Sequence, residues 1–429
     1  MTKHRLFAAT MTLLLGCGGH HAAAPTTTST TPTTPTTPTT PVAPATPAGP
    51  KPQIGSFGFD AGGMDPAVKP GASFYQYANG GWLKATKIPE DKSNYGMFSV
   101  LADQSDTRTR AIIEGAKASA PGNEQKVADY YQSFMDEAAI EALGAKPLAP
   151  ALAAIAKIKD VGGLVDAFAA SARDLVKNPF ETMVGQDERA PETHIANLAQ
   201  GGLGLPDRDM YDAKLAQFAP QREGYKQYIA TMFGLLELPK AEARAAAVYA
   251  LEEKLAQTHW TRVENRDPQK TYNKLTIAEL GKLAPGVDWK RWLAGVGLAG
   301  QAAINVNQPT AIAKLAALVK SEPLAVWKDY LTLRAVDDAA SVLAKRFVDA
   351  RFEMYGKVLS GTPTLKARWK RGVDNVTAAL GEAVGQLYVA RHFTAETKAR
   401  ADVLVANVLA AMGQRLDALA WMSPATKAL

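Results

Sequence analysis

The stretch Val405-Ala406-Asn407-Val408-Leu409-Ala410-Ala411-Met412-Gly413-Gln414-Arg415-Leu416 places Val405, Leu409, Met412 and Leu416 at spacings of four, three and four. At about 3.6 residues per turn, an α-helix brings those four side chains onto one stripe, whereas a strand would scatter them over both faces. Thr394 stands ahead of the run, where its hydroxyl can accept from an unpaired first-turn N–H, so the pattern predicts a long helix opened by Thr394. The same period recurs over residues 127–143, 225–236, 248–255, 342–355 and 373–389. A mainly α fold follows, a large multi-helix region. One segment departs from it: Phe180, Thr182 and Val184 alternate along one face, as do His194, Ala196 and Leu198 beyond residues 187–191, which predicts one short β-hairpin among the helices. Residues 201–206 then form a Gly-rich turn. No Gly-Lys-Ser/Thr follows and Pro206 interrupts a helix start, so this is not a phosphate-binding loop.

Upstream of the helical region the chain changes character twice. Residues 1–17 read as a signal segment, with Lys3 and Arg5 ahead of an apolar run, residues 6–15, that is too short to span a bilayer. Leu14-Leu15-Gly16-Cys17 has the lipobox arrangement: small Gly16 admits a signal peptidase, and the Cys17 thiol takes the lipid. The alternative is a secretory signal with an incidental cysteine. Cys17 is the one cysteine of the chain, so no disulfide forms within it. Residues 18–53 are expected to be a disordered Thr/Pro-rich tether, because Thr, Pro and Ala offer too little apolar surface to pack. In a polyproline-like conformation the 25–50 stretch reaches up to about 80 Å. The expectation is an exported lipoprotein held by Cys17 in a bacterial envelope, at the outer membrane or facing the periplasm. Gly18 in place of aspartate after the cysteine leans to the outer membrane.

Residues 54–429 form the folded region. Net charge is +6, with basic residues scattered among acidic ones along helical stretches, a solvated surface and not a nucleic-acid footprint. The densest basic cluster, Lys366, Arg368, Lys370 and Arg371 around Trp369, reads as a helix face with a packed tryptophan. Ser423 and Pro424 are a helix-opening pair, N-cap and first helical residue. So little chain follows Pro424 that the expectation here is a helical domain truncated at its C-terminal end.

Seven segments, in order, resemble the N-terminal region of the neprilysin-like zinc metallopeptidases, the family of neprilysin, endothelin-converting enzyme and PepO. They are Met64-Asp65-Pro66 with Phe74-Tyr75-Gln76-Tyr77-Ala78-Asn79-Gly80-Gly81-Trp82-Leu83; Ile88-Pro89 with Ser93-Asn94-Tyr95-Gly96-Met97-Phe98; Gly201-Gly202-Leu203-Gly204-Leu205-Pro206-Asp207-Arg208-Asp209-Met210-Tyr211; Glu264-Asn265-Arg266-Asp267-Pro268 with Tyr272-Asn273-Lys274; Arg368-Trp369-Lys370-Arg371; Gly385-Gln386-Leu387-Tyr388-Val389; and Trp421-Met422-Ser423-Pro424-Ala425-Thr426-Lys427. The resemblance implies a two-lobed helical endopeptidase whose closed cavity admits peptide substrates. Its zinc is held by a His-Glu-x-x-His helix and a glutamate from a Glu-Asn-x-x-Asp motif.

Neither zinc motif is present. The six histidines are His4, His20, His21, His194, His259 and His392, and none is followed by glutamate. Glu264-Asn265-Arg266-Asp267 has its aspartate one position early, with Pro268 behind it, so it is read as a turn and not as a ligand set. No cofactor is therefore expected in this chain, and zinc only in a full-length relative. By resemblance, Phe98 helps line the pocket for the residue after the cut bond; ordinary core packing is the alternative. Where that branch carries two arginines that grip a substrate carboxylate, this sequence has Asn94 and Ala102, which carry no charge. The expected function is the substrate-gating part of an exported zinc endopeptidase, inactive alone. The alternative is a non-catalytic envelope lipoprotein that binds peptides or a partner.

Overall fold

The structure is a computed structural model that describes residues 60–117 and 121–428. Cys17, the signal segment and the 18–53 tether lie outside the described residues. The chain divides into two compact units, one running to Ile88 and one beginning at Pro89.

In the first unit, the Phe74–Ala85 helix opens on Ser73, whose Oγ accepts from Gln76 N at 3.3 Å. The chain ahead of it lies directly against the helix, and two glycines allow this. A Cβ on Gly81 would stand 2.7 Å from the Met64 carbonyl oxygen, and one on Gly80 would stand 2.6 Å from Asp65 Cβ. Asp65 in turn pairs with Lys84 at 2.7 Å. The Met64-Asp65-Pro66 and Tyr77-to-Trp82 motifs are thus two sides of one local contact.

The second unit is mainly helical, as the periodicity predicts, and holds two cores. The larger one packs the helices Val161–Arg173, Ala219–Leu235, Ala241–Thr258, Pro309–Ser321 and Leu324–Ala339 around fully buried Phe168, Phe180, Trp292, Trp327 and Tyr330. Edge-to-face rings knit it: Phe168 to Trp327 and Phe180 to Trp289 each lie 5.2 Å apart between centroids. The smaller core joins Met97–Glu114, Asn123–Met135 and Arg368–His392 through Ile113, Val127, Tyr131, Val373, Val376 and Val384. Two stripes break where the sequence ran on. Asp136 ends the Asn123–Met135 helix and caps a new one, accepting from Ala139 N at 3.0 Å. Behind Lys345–Arg351 the turns widen into a π-helix, Phe352–Leu359, in which the Phe352 ring fills the space a Cβ on Gly356 would need, 2.2 Å away.

The predicted hairpin is present and is half of a larger sheet. Strand β1 (Phe180–Asp187) pairs antiparallel with β2 (Ala190–Gln200), aligning Thr182 with Leu198 and Val184 with Ala196. β3 (Lys274–Thr276) and β4 (Ala303–Val306) complete a four-stranded sheet in the order β1-β2-β4-β3, with β2 and β4 parallel. One hairpin alone was expected from the sequence. β3 and β4, at three and four residues, are too short for a period of two to register.

Thr394 caps the Ala395–Ala418 helix, accepting from Thr397 N at 3.2 Å, and Ser423 caps Pro424–Ala428 by accepting from Thr426 N at 3.2 Å. The predicted stripe on Ala395–Ala418 is present, and three of its four residues are open among the described residues, Leu416 being half-buried. Val405 is 54 % exposed, Leu409 66 % and Met412 57 %, and no residue of that helix is buried.

Candidate functional site

Phe98 occupies the first turn of the Met97–Glu114 helix and is 91 % exposed. Among the described residues Phe98 is not packed into either core. Leu101 and Ala102 follow at helical spacing, so Met97, Phe98, Leu101 and Ala102 form an open, mostly apolar patch at the helix start, with exposed Asn94 just ahead of it.

The elbow that leads into this patch, residues 89–96, is tied down by polar contacts. Glu90 accepts from Thr364 N at 3.1 Å through its carbonyl. Asp91 forms an ion pair with Lys370. On the helix itself, Asp103 Oδ1 accepts from Lys92 Nζ at 2.5 Å and Oδ2 from the Tyr95 hydroxyl at 3.0 Å. The Lys92 ammonium also lies 5.0 Å from the Tyr95 ring centre. Burial works against the Asp103 charge, but the hydrogen bonds from Lys92 and Tyr95 outweigh it and hold the carboxyl below its ordinary pKa. Burial and the Asp103 carboxylate together push the Tyr95 phenol up.

A second polar assembly surrounds the 201–211 turn. Glu252 is fully buried; its Oε1 accepts from Arg334 Nη2 at 2.6 Å and from the Tyr225 hydroxyl at 2.9 Å. Its Oε2 accepts from the Tyr211 hydroxyl at 2.6 Å and from Gly204 N at 2.9 Å. Only glycine fits at 204, since a Cβ there would stand 1.8 Å from the Tyr225 hydroxyl oxygen, and Gly202 sits at φ +94° with its carbonyl accepting from Tyr330 at 2.7 Å. Two clefts of about 320 and 390 Å³ flank this turn, and Lys177 and Pro206 line both. In the larger one His259 is 8 % exposed, with Nε2 donating to the Gly201 carbonyl at 3.2 Å. Burial and the nearby Arg208 push that imidazole down to about 4, against the Gly201 bond and Asp207.

The remaining singled-out residues have structural roles. Asp267 caps Pro268–Thr271, accepting from Gln269 N at 3.0 Å; Glu264 accepts from Thr261 N at 2.8 Å; Asn265 accepts from Gln308 Nε2 at 3.2 Å. That segment is the turn it was read as. The bases around Trp369 are paired along an exposed to half-buried face: Lys366 with Asp374 at 3.0 Å, Arg368 with Glu137 at 3.4 Å and Lys370 with Asp91, while Arg110 stacks on Trp369 at 4.5 Å. His194 and His392 are exposed and lie apart from His259 in the sheet and at the end of the Arg368–His392 helix. Among the described residues no group of three His, Cys, Asp or Glu side chains is placed to hold a metal. Sequence reading missed Glu252, Arg334 and Asp103. For the first two, the available signal was a charge on the apolar stripe of a helix.

A family model described as peptidase family M13 matches residues 70–429. The chain belongs to peptidase family M13. It is 27% identical over 389 residues to endothelin-converting enzyme-like 1 of Rattus norvegicus, covering 86% of this chain and 50% of that protein. To endothelin-converting enzyme 1 of Homo sapiens it is 29% identical over 380 residues, covering 85% and 49%. Among solved structures, zinc metalloprotease Zmp1 of Mycobacterium tuberculosis, in complex with an inhibitor, superposes with a TM-score of 0.79 at 34% identity, over 86% of this chain and 57% of that one. PepO from Lactobacillus rhamnosis shares the fold, with a TM-score of 0.71 at 21% identity. The chain thus spans about half the length of the curated M13 relatives it matches. The described residues do not fit the zinc named for Zmp1, because no donor set converges among them.

Proposed function

We propose that this chain is the N-terminal, substrate-gating part of an exported M13 zinc endopeptidase, that it forms one wall of a peptide-admitting cavity, and that it is inactive alone. The observation that carries the reading is apolar surface left in water at two places: Phe98 with its neighbours, and the whole Ala395–Ala418 helix. Isolated exposed apolar side chains need no explanation, whereas a helix with Val403, Leu404, Val405, Val408, Leu409 and Met412 all more than half exposed is built to be covered. Phe98 contributes an apolar contact for a substrate side chain. Asn94 and Ala102 supply no charge for a terminal carboxylate, so substrate length is not set by a free C-terminus at this wall. Export and lipid anchoring rest on Leu14-Leu15-Gly16-Cys17 behind the apolar run.

The direct test is metal analysis and peptide cleavage with the folded region alone. After dialysis it should retain no stoichiometric zinc and cleave no peptide, since tight binding needs three or four converging ligands. One tightly held zinc per chain would sink the reading. The exposed helix gives a second expected result: the folded region binds a hydrophobic dye and self-associates. V405E/L409E/M412E should weaken both at least about tenfold with helix content unchanged, because burial of that stripe is worth on the order of 25 cal/mol per Å². A dye-negative wild-type monomer with a sharp melt would show that this face has no partner to lose.

A further inference from the structure

We infer that Asp103 is a positioning residue for the Phe98 wall, an inference that rests on the substrate-gating reading above. Phe98 and Asn94 are exposed, so the elbow behind them bears on how they are presented. That elbow has two kinds of tie. Glu90 and Asp91 hold its start to Thr364 and Lys370, ahead of and within the Arg368–His392 helix. In its second half, from Lys92 to Gly96, one Asp103 oxygen accepts from Lys92 and the other from Tyr95. Gly96, the residue before the helix, makes no side-chain cap, and at the entry to the first turn its carbonyl accepts from Val100 N at 3.0 Å. Asp103 adds a side-chain constraint from about two turns further along. Two acceptor oxygens on one rigid helical carboxylate fix two points of the elbow, which sets a direction and not merely a distance.

The charge arrangement fits this role. Lys92 is only 17 % exposed in its side chain, and its ammonium meets both the carboxylate and the ring face of Tyr95. Removing the carboxylate takes away the partner of the Lys92 ammonium and one partner of Tyr95, which loosens the segment. Phe98 follows, because only two residues separate Tyr95 from it.

The test has two arms. In hydrogen exchange, D103A should speed exchange of the amides of residues 92–98 about tenfold or more, leave the Arg368–His392 helix protected, and show partial rescue in D103E. In the complete gene product, F98A and D103A should each raise KM for a peptide with an apolar residue after the cut bond by about tenfold, with kcat changed less than twofold, the signature of lost binding without lost chemistry. Unchanged KM in F98A would overturn the gating reading and this inference with it. A raised KM in F98A with unchanged KM in D103A, or unchanged exchange over 92–98, would overturn the assignment of Asp103 alone. If D103A lowers kcat and the overall exchange protection together, Asp103 is a general stability residue and the positioning role falls.

Discussion

Replacing Glu252 by glutamine is expected to destabilise the second unit by about 3–5 kcal/mol, the range for removing one member of a buried ion pair. The magnitude follows from what is left behind. Arg334 is 1 % exposed and finds its hydrogen-bonded carboxylate in Glu252, while its Nε and Nη1 have no hydrogen-bond partner among the described residues. Its guanidinium is therefore held in place by Nη2, which donates to Glu252 and to the Tyr225 hydroxyl, and by the Tyr330 ring at 5.2 Å. Neutralising Glu252 leaves a buried cation with no hydrogen-bonded carboxylate, Asp337 acting on it only through space. The same carboxylate gathers Tyr211, Tyr225 and Gly204 N, so the loss spreads to the 201–211 turn and to the Ala219–Leu235, Ala241–Thr258 and Leu324–Ala339 helices at once. Urea unfolding followed by far-ultraviolet circular dichroism measures it. A cost below about 1 kcal/mol, the worth of an ordinary hydrogen bond, would mean that the assembly does not hold this turn.

Helix positions were legible in the sequence because burial of a face imposes a period, and a period survives without any knowledge of partners. The same property limits the reading. Val248, Leu251 and Leu255 have the helical spacing of Val405, Leu409 and Met412, yet the first set is at most 1 % exposed and the second lies in water. A stripe records that a helix is meant to be covered, not what covers it. β3 and β4 were illegible for a different reason: their pairing with β2 and with each other is long-range, and three or four residues carry no periodic signal of their own. The π-helix at Phe352–Leu359 also follows from three-dimensional packing of a ring over a glycine, with no marker in the local pattern.

The candidate site was legible to the extent that motifs encode local geometry. Gly201 to Pro206 was recognisable as a Gly-rich turn, and its glycines are indeed forced, by Glu181 and Asn178 at 201 and by Tyr225 at 204. What the turn is fastened to could not be read, because Glu252 lies 48 positions from Gly204 and Arg334 lies 82 positions from Glu252. Phe98 came from family resemblance alone, and its exposure is a structural finding. Asp103 sits on the same helix in a run of polar residues, where nothing in one dimension separates an aspartate that anchors an elbow from one that faces solvent.

His259 gives the expected pH dependence. Its imidazole is pushed from an ordinary value of 6.5 down to about 4, chiefly because burial disfavours the charged ring and Arg208 adds a like charge. Nε2 donates to the Gly201 carbonyl, so the neutral ring is the tautomer with its proton on Nε2, and a second proton would go to Nδ1 in buried surroundings. Above about pH 6.5 the ring is neutral in both folded and unfolded chains and contributes no slope. Between 6.5 and about 4 the unfolded chain binds a proton that the folded chain refuses, so stability falls as pH falls through that window and levels off below it. A depression from 6.5 to about 4 corresponds to about 3 kcal/mol at 25 °C. H259Q keeps a donor for Gly201 and cannot titrate. Melting curves between pH 7 and pH 4.5 should therefore show wild type losing stability faster than H259Q, with the two converging near neutral pH apart from a constant offset. Carboxylates that titrate at the acid end act on both proteins alike and cancel in the difference. Parallel curves across that range would place His259 in water or beside an acid, contrary to its position under the 201–206 turn.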